Sequence, residues 1–270
     1  MGMGRAMGGR DAAQGVRLRA RQSIRPPATA QGGLLGAVMM AILLLMLPGP
    51  AVAQDAQVRQ AILVADALGQ LALTLRAYAQ FGQQIQPTQA GERLTQGRSE
   101  FDVLLVQLLR RTGKQLPEAD SHRLRQRWRS IRDATYTRPS AEIGALMSDI
   151  GEDIAAQLRV LAEPVPKSHP LLERAWQRQN LQQLAKEGLF GCWRADLARQ
   201  SQIEFLRGEF SRWLAAQERR LAQVTWVQYN AQWNLLTTSL PREGAGCTAQ
   251  AMMSLVSTTE RLAQMIAAVQ

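Results

Sequence analysis

Met252, Leu255, Thr259, Leu262, Ile266 and Val269 recur at intervals of 3, 4, 3, 4 and 3 residues. No other feature constrains the fold as tightly. That rhythm draws a narrow stripe along one helix face, the seam of helices that pack at a shallow angle in bundles and coiled coils. Phe101, Leu105 and Leu108 repeat it, with Leu94 one heptad earlier, and so do Leu124, Trp128, Ile131 and Thr135. Breakers fall between the runs: Pro87, Pro117 and Pro139, then the cluster Pro164, Pro166 and Pro170, then Pro241 with Gly244 and Gly246. Proline lacks an amide proton and clashes with the preceding turn, so each marks a helix boundary. No stretch alternates with a period of two, and Ala, Leu, Gln and Arg outweigh the β-formers, with only 5% aromatic residues. The expected fold class is all-α, with eight helices.

The helices are written twice. Arg98-Ser99-Glu100-Phe101 returns as Arg207-Gly208-Glu209-Phe210 at an offset of 109, and Trp128 returns as Trp233 at 105. Gln70-Leu71-Ala72 matches Gln183-Leu184-Ala185 at 113, and Glu152 with Ile154 matches Glu260 with Leu262 at 108. Four matches in one order at nearly one period predict two tandem units, over 55–163 and 170–270. Short connections make each an antiparallel four-helix bundle. The paired tryptophans are expected as core anchors.

Ahead of them, residues 33–47 form an unbroken apolar run, followed by Pro48-Gly49-Pro50 and Ala51-Val52-Ala53. A basic stretch, a short apolar run and an Ala-x-Ala exit describe a secretory signal peptide over 1–53, cut between Ala53 and Gln54. The protein is then expected in the periplasm or outside the cell. The alternative is that the same segment stays as an N-terminal membrane anchor. The formal charge of +10 shrinks accordingly. Residues 1–53 hold six arginines and one acid, leaving 26 basic and 21 acidic side chains beyond them. Only three of the 32 basic residues are lysines, and nucleic acid is not an expected partner.

Two cysteines and two histidines exclude zinc and iron–sulfur clusters. Cys-x-x-Cys-His is absent, as are a phosphate-binding glycine loop and a Ser/His/Asp set, and neither catalysis nor a cofactor or metal is expected. Cys192 and Cys247 fall near the end of the second unit's first helix and the start of its fourth. An up-down bundle brings those to one end, and an exported chain meets oxidising conditions. A disulfide is expected there; the alternative is two ordinary thiols. Arg123, Arg125, Arg127, Arg129 and Arg132 form a basic row that suits either a solvated helix face or an anionic surface.

Trp176-Gln177-Arg178-Gln179-Asn180-Leu181-Gln182-Gln183-Leu184-Ala185-Lys186 opens the second unit. Together with the order of helices, it resembles the PilJ/NarX-like domain. That domain is the N-terminal part of type IV pilus chemotaxis transducers and is related to periplasmic nitrate/nitrite sensors. The family's first helix tends to read Arg-Met-Leu-Ser-Gln-Arg-Leu-Ala-Lys. Arg178, Gln182, Leu184, Ala185 and Lys186 match it, Gln183 stands where the second arginine belongs, and Ala65–Leu73 of the first unit has neither Arg nor Lys. The resemblance implies a sensor-like or binding module acting through a sensor kinase or chemotaxis receptor, with a homodimer as an expected assembly. Arg178, Gln182 and Lys186 follow one helix line, and if that line turns inward or toward a partner it suits a small anion. If it faces water it is only a solvated ladder, and the chain is then a structural or interaction scaffold without a small ligand.

Overall fold

The computed structural model describes residues 50–113, 115–162, 165, 169–193, 197–241 and 247–268. Among these there are eight helices and no strand: α1 (Pro50–Gly82), α2 (Pro87–Arg111), α3 (Glu118–Ala134), α4 (Ala141–Val160), α5 (Pro170–Trp193), α6 (Leu197–Gln217), α7 (Gln223–Ser239) and α8 (Ala249–Ala268). Several breakers act where the sequence places them, while Pro164, Pro166, Gly244 and Gly246 lie outside the described residues. Pro87 and Pro170 open α2 and α5, where a missing amide proton costs no helical bond. Ser140 Oγ caps α4 by accepting from the Ile143 amide at 3.2 Å, and Thr248 Oγ1 accepts from the Ala251 amide in the first turn of α8. The signal-peptide reading of 1–49 lies outside the described residues; the expected cut between Ala53 and Gln54 falls near the start of α1.

From Gly49 onward the chain forms one compact unit. α1 and α5 lie at its centre, packed on one another. α1 also packs on α2 and α4, α5 on α6 and α8, and α3 and α7 complete the outside against α4 and α8. Being surrounded, the two central helices are buried on several faces. Val64, Leu68, Leu71 and Leu75 of α1 are buried, as are Arg76 and Gln80; Leu181, Leu184 and Leu189 of α5 are buried beside Gln182, Lys186 and Glu187. The outer helices keep the periodic stripe, and Leu94, Phe101, Leu124, Trp128, Met252, Leu255 and Leu262 all face the core. Among the described residues α1 is the one helix with the length and apolarity of a membrane span, over Gln54–Gly82, and most of its apolar residues, Val64, Leu68, Leu71 and Leu75 among them, are buried against neighbouring helices.

Two of the sequence matches show like packing. Phe101 packs on Trp128 with ring centroids 4.3 Å apart, and Phe210 on Trp233 at 4.5 Å. In each case the indole donates to the residue just after the phenylalanine: Trp128 Nε1 to Asp102 Oδ1 at 2.5 Å, Trp233 Nε1 to Ser211 Oγ at 3.1 Å. A second correspondence crosses between the halves. Glu260 of α8 binds Arg76 of α1 at 2.8 Å, and Glu152 of α4 lies 3.5 Å from Lys186 of α5. At Gly151 and Gly188 a leucine of a neighbouring helix fills the space a side chain would take, since a Cβ on Gly151 would sit 2.8 Å from the Leu75 side chain and one on Gly188 2.7 Å from that of Leu255. Cys192 and Cys247 are joined in a disulfide, Cα to Cα 5.6 Å, tying the last turn of α5 to the segment before α8.

Candidate functional site

The α5 line is the first place to look. Arg178, Gln182 and Lys186 do follow one another along the helix, but each meets different surroundings. Arg178 Nη2 pairs with Asp66 Oδ1 of α1 at 2.9 Å. Burial raises the Asp66 carboxyl above its usual range, and the guanidinium only partly opposes this. Gln182 is buried one turn on, and its Oε1 has no hydrogen-bond partner.

Lys186 is 2% exposed and sits in an ionic cluster built by α4, α5 and α6. Its Nζ binds the equally buried Glu187 at 2.7 Å and reaches Ser148 Oγ at 3.4 Å. Glu187 also accepts from Arg199 at 2.8 Å and from Gln183 Nε2 at 2.8 Å. Two cations thus meet the carboxylates of Glu187 and Glu152. A buried charge needs such partners to stay ionised. The adjacent cleft of about 100 Å³ is walled by Lys186 together with Gln179 and Gln183, one line over from Arg178 and Gln182. The three candidates do not converge on one cavity.

The arginine row on α3 is also engaged. Arg127 binds Asp153 at 2.9 Å, Arg132 lies 3.7 Å from both Asp102 and Asp133, and Arg123 lies 3.7 Å from Asp120, while Arg125 and Arg129 are exposed. That is the arrangement of a solvated helix face. Among the described residues no three His, Cys, Asp or Glu side chains gather as a metal site.

A different place has the character of a binding site. At the end of the α5–α8 half remote from the disulfide there is a cavity of about 350 Å³. Its walls come from the start of α5, the end of α6, the α6–α7 turn, α7 and the end of α8. Trp213, Gln217 and Tyr229 line it, each at least nine-tenths buried. Trp213 Nε1, Gln217 Nε2 and the Tyr229 hydroxyl all lack a hydrogen-bond partner. Buried polar groups are ordinarily satisfied, because each one left bare costs about 1–3 kcal/mol. Three of the unpartnered atoms belong to residues that border this one cavity, each atom itself shielded from solvent. Pro170, Leu221 and Ile266 supply apolar wall, and Glu173, Arg174 and Arg220 stand around it. Burial pushes the Tyr229 phenol up to about 12, against the pull of the Arg174 guanidinium.

None of these residues belongs to a recognisable motif. What marks them in the sequence is a departure from the repeat. Trp213 and Gln217 lie three and seven residues after Phe210, where the first half has Leu104 and Leu108 after Phe101. Tyr229 lies four before Trp233, where the first half has Leu124 before Trp128. No family model, curated protein or solved structure matches this chain.

Proposed function

We propose that this chain is an exported, non-catalytic, sensor-like module of two tandem four-helix units that binds a small molecule in its second unit. The observation that carries the reading is the 350 Å³ end cavity with three unpartnered buried polar groups. Such a cavity falls in the range of ligand pockets, about 300–1,000 Å³, whose few convergent polar groups fix the orientation of an occupant. The matched Phe–Trp pairs and crossed ion pairs favour the two-unit description. The disulfide and the leader sequence favour export. In this proposal the resemblance of Trp176–Lys186 to the PilJ/NarX-like first helix supplies the sensing role, and the output passes to a separate kinase or chemotaxis receptor.

A library of small metabolites screened by thermal shift tests it, wild type beside Gln217→Leu. A ligand that binds only the folded state raises the melting temperature by mass action. Stabilisation of the wild type that the variant lacks supports binding in the end cavity. Stabilisation shared by both, or none, favours a scaffold that works through its surface. Val224 and Val227, exposed on α7, are the residues such a scaffold would offer. The small-anion proposal for α5 has its own arm: nitrate, nitrite, sulfate and phosphate at constant ionic strength, with Arg178→Ala as control. Export is checked separately, by N-terminal sequencing of the mature protein, which should begin at Gln54.

A further inference from the structure

We infer that the outward face of α7 is an interface that packs on the same face of a second copy of this chain. The inference goes beyond the end cavity and does not depend on it. α7 lies on the outside of the molecule, packed chiefly on α8. Val224, Val227, Ala231, Leu235 and Thr238 fall within about 80° of one another at roughly 100° per residue. They lie opposite Tyr229, Trp233 and Leu236, which face the core. All five are exposed, Val224 by 70%, Val227 by 50% and Leu235 by 48%. Isolated apolar residues on a surface are ordinary. Residues three and four apart are neighbours along a helix, and here they make a continuous stripe.

The other half shows what this place looks like when it meets water. At the offset of 105 that relates Trp128 to Trp233, the five positions are Ala119, His122, Gln126, Ser130 and Asp133 of α3, all exposed. α3 as a whole holds five arginines and three acids. α7, from Gln223 to Ser239, has no Asp, Glu, Lys or Arg, and is alone in this among the eight described helices. Its outward stripe is thus apolar at the places where the matching helix is polar.

Two features select a second copy as the occupant. A two-fold contact sets one patch against itself, so a charge near its centre meets its own like, which costs affinity. A face without charge avoids that cost. The exposed amides of Gln228 and Asn234 beside the stripe carry both donors and acceptors, and so suit their own kind. The stripe is also palindromic, since its steps from Val224 to Thr238 are 3, 4, 4 and 3 residues. An antiparallel copy therefore meets it in register, Ala231 against Ala231, Val227 against Leu235 and Val224 against Thr238. The smallest side chain then falls where the helices cross. A lipid surface fits less well, because helices that lie on membranes are rich in Lys and Arg on the polar face. One helix pair meeting over about 21 Å is a small contact, under the roughly 1,200 Å² of a standard interface, so the dimer is a reversible one.

Sedimentation equilibrium of the full mature protein tests the inference, at about 300 µM and again at about 3 µM. The average mass should approach two chains at the higher concentration and one at the lower. Val227→Glu combined with Leu235→Glu should weaken association about ten-fold or more, by setting like charges against each other. Both residues are exposed, so the helical circular dichroism and the melting temperature of the dilute protein should stay as in the wild type. Ala231→Cys should give a disulfide-linked dimer under mild oxidation, because that residue meets its own copy at the axis. Gln126→Cys, at the same place on α3, should not. A single chain at both concentrations would overturn the proposal, as would a dimer that the glutamates leave intact. A monomer that floats with phosphatidylcholine vesicles, and sinks once the glutamates are present, would overturn it in favour of lipid. No cross-link at 231, or an equal one at 126, would overturn the antiparallel contact.

Discussion

The α1–α4 half and the α5–α8 half share their anchors and differ at one end. Both set a phenylalanine against a tryptophan at nearly the same distance, and both let the indole donate to the residue following the phenylalanine. Around those anchors the first half is packed with leucine. Leu108 and Leu124 are fully buried and Leu104 packs against the core. At the corresponding places the second half has Gln217, Tyr229 and Trp213, and a 350 Å³ cavity where the first half has hydrocarbon. The second half also carries the disulfide, at its opposite end. The difference teaches that like anchors can carry unlike surroundings: the Phe–Trp pairs agree, while leucines border one and Gln217, Tyr229, Trp213 and a cavity border the other.

The strongest test of shared anchors is to remove them. Phe101→Ala and Phe210→Ala should each cost about 3–5 kcal/mol in denaturant unfolding, the usual loss for a buried aromatic ring. Comparable losses support equivalent roles; a loss at Phe210 below a third of that at Phe101 would break the correspondence. Next in size is the disulfide. Cys192→Ser with Cys247→Ser should lower stability by up to about 4 kcal/mol, the chain-entropy value for a loop of this length. Hydrogen exchange should show the loss of protection concentrated in α5–α8. Uniform loss across both halves would mean that they unfold only together.

Exchanging residues between the halves gives smaller and opposite effects. Leu108→Gln places an unsatisfied amide in a packed core and should cost about 2–4 kcal/mol. Gln217→Leu removes such an amide and should gain about 1 kcal/mol, or about 2–4 °C in melting temperature for a chain of this size. If Gln217→Leu destabilises instead, the glutamine is a structural member of the core and the cavity is no site. The last effect is alkaline and shows only at high pH. The native phenol of Tyr229 ionises near 12 against about 10 in the unfolded chain, so the native state binds the extra proton between them. The contribution is whole below pH 10 and is lost as pH rises toward 12. Tyr229→Phe should therefore lose less stability than wild type over that window.

Much of the framework is legible in the residues. Prolines mark the helix boundaries, and the 3-4 spacing names buried positions on α2, α3 and α8 correctly because those helices have one buried face. The same reasoning loses its grip on α1 and α5. A helix covered on several sides has no single stripe, so Gln182, Lys186 and Glu187 sit inside where a ladder on a two-faced helix would meet water. Adjacent residues such as Lys186 and Glu187 ordinarily point apart on a helix, and only the arrival of Arg199 and Ser148 from neighbouring helices makes their pairing visible. The end cavity was written in the sequence in a form that a search for cations, histidines and cysteines overlooks. Gln217 falls a heptad after Phe210, on the core face, where an amide has no business unless something satisfies it.

The central claim, that the second half holds an end cavity bordered by residues with unpartnered polar atoms, is tested most directly by the indole protons. Trp128 and Trp233 donate to Asp102 and Ser211, whereas the Trp213 indole nitrogen has no acceptor on a residue that borders the cavity. In an NMR spectrum of the uniformly ¹⁵N-labelled protein, with each signal assigned by a Trp→Phe variant, the Trp213 indole proton should exchange with water far faster than the other two. Gln217→Leu, by narrowing the cavity with hydrocarbon, should slow it. A Trp213 proton as protected as those of Trp128 and Trp233 would contradict the account, since it would show that indole to be bonded within a closed core like its counterparts.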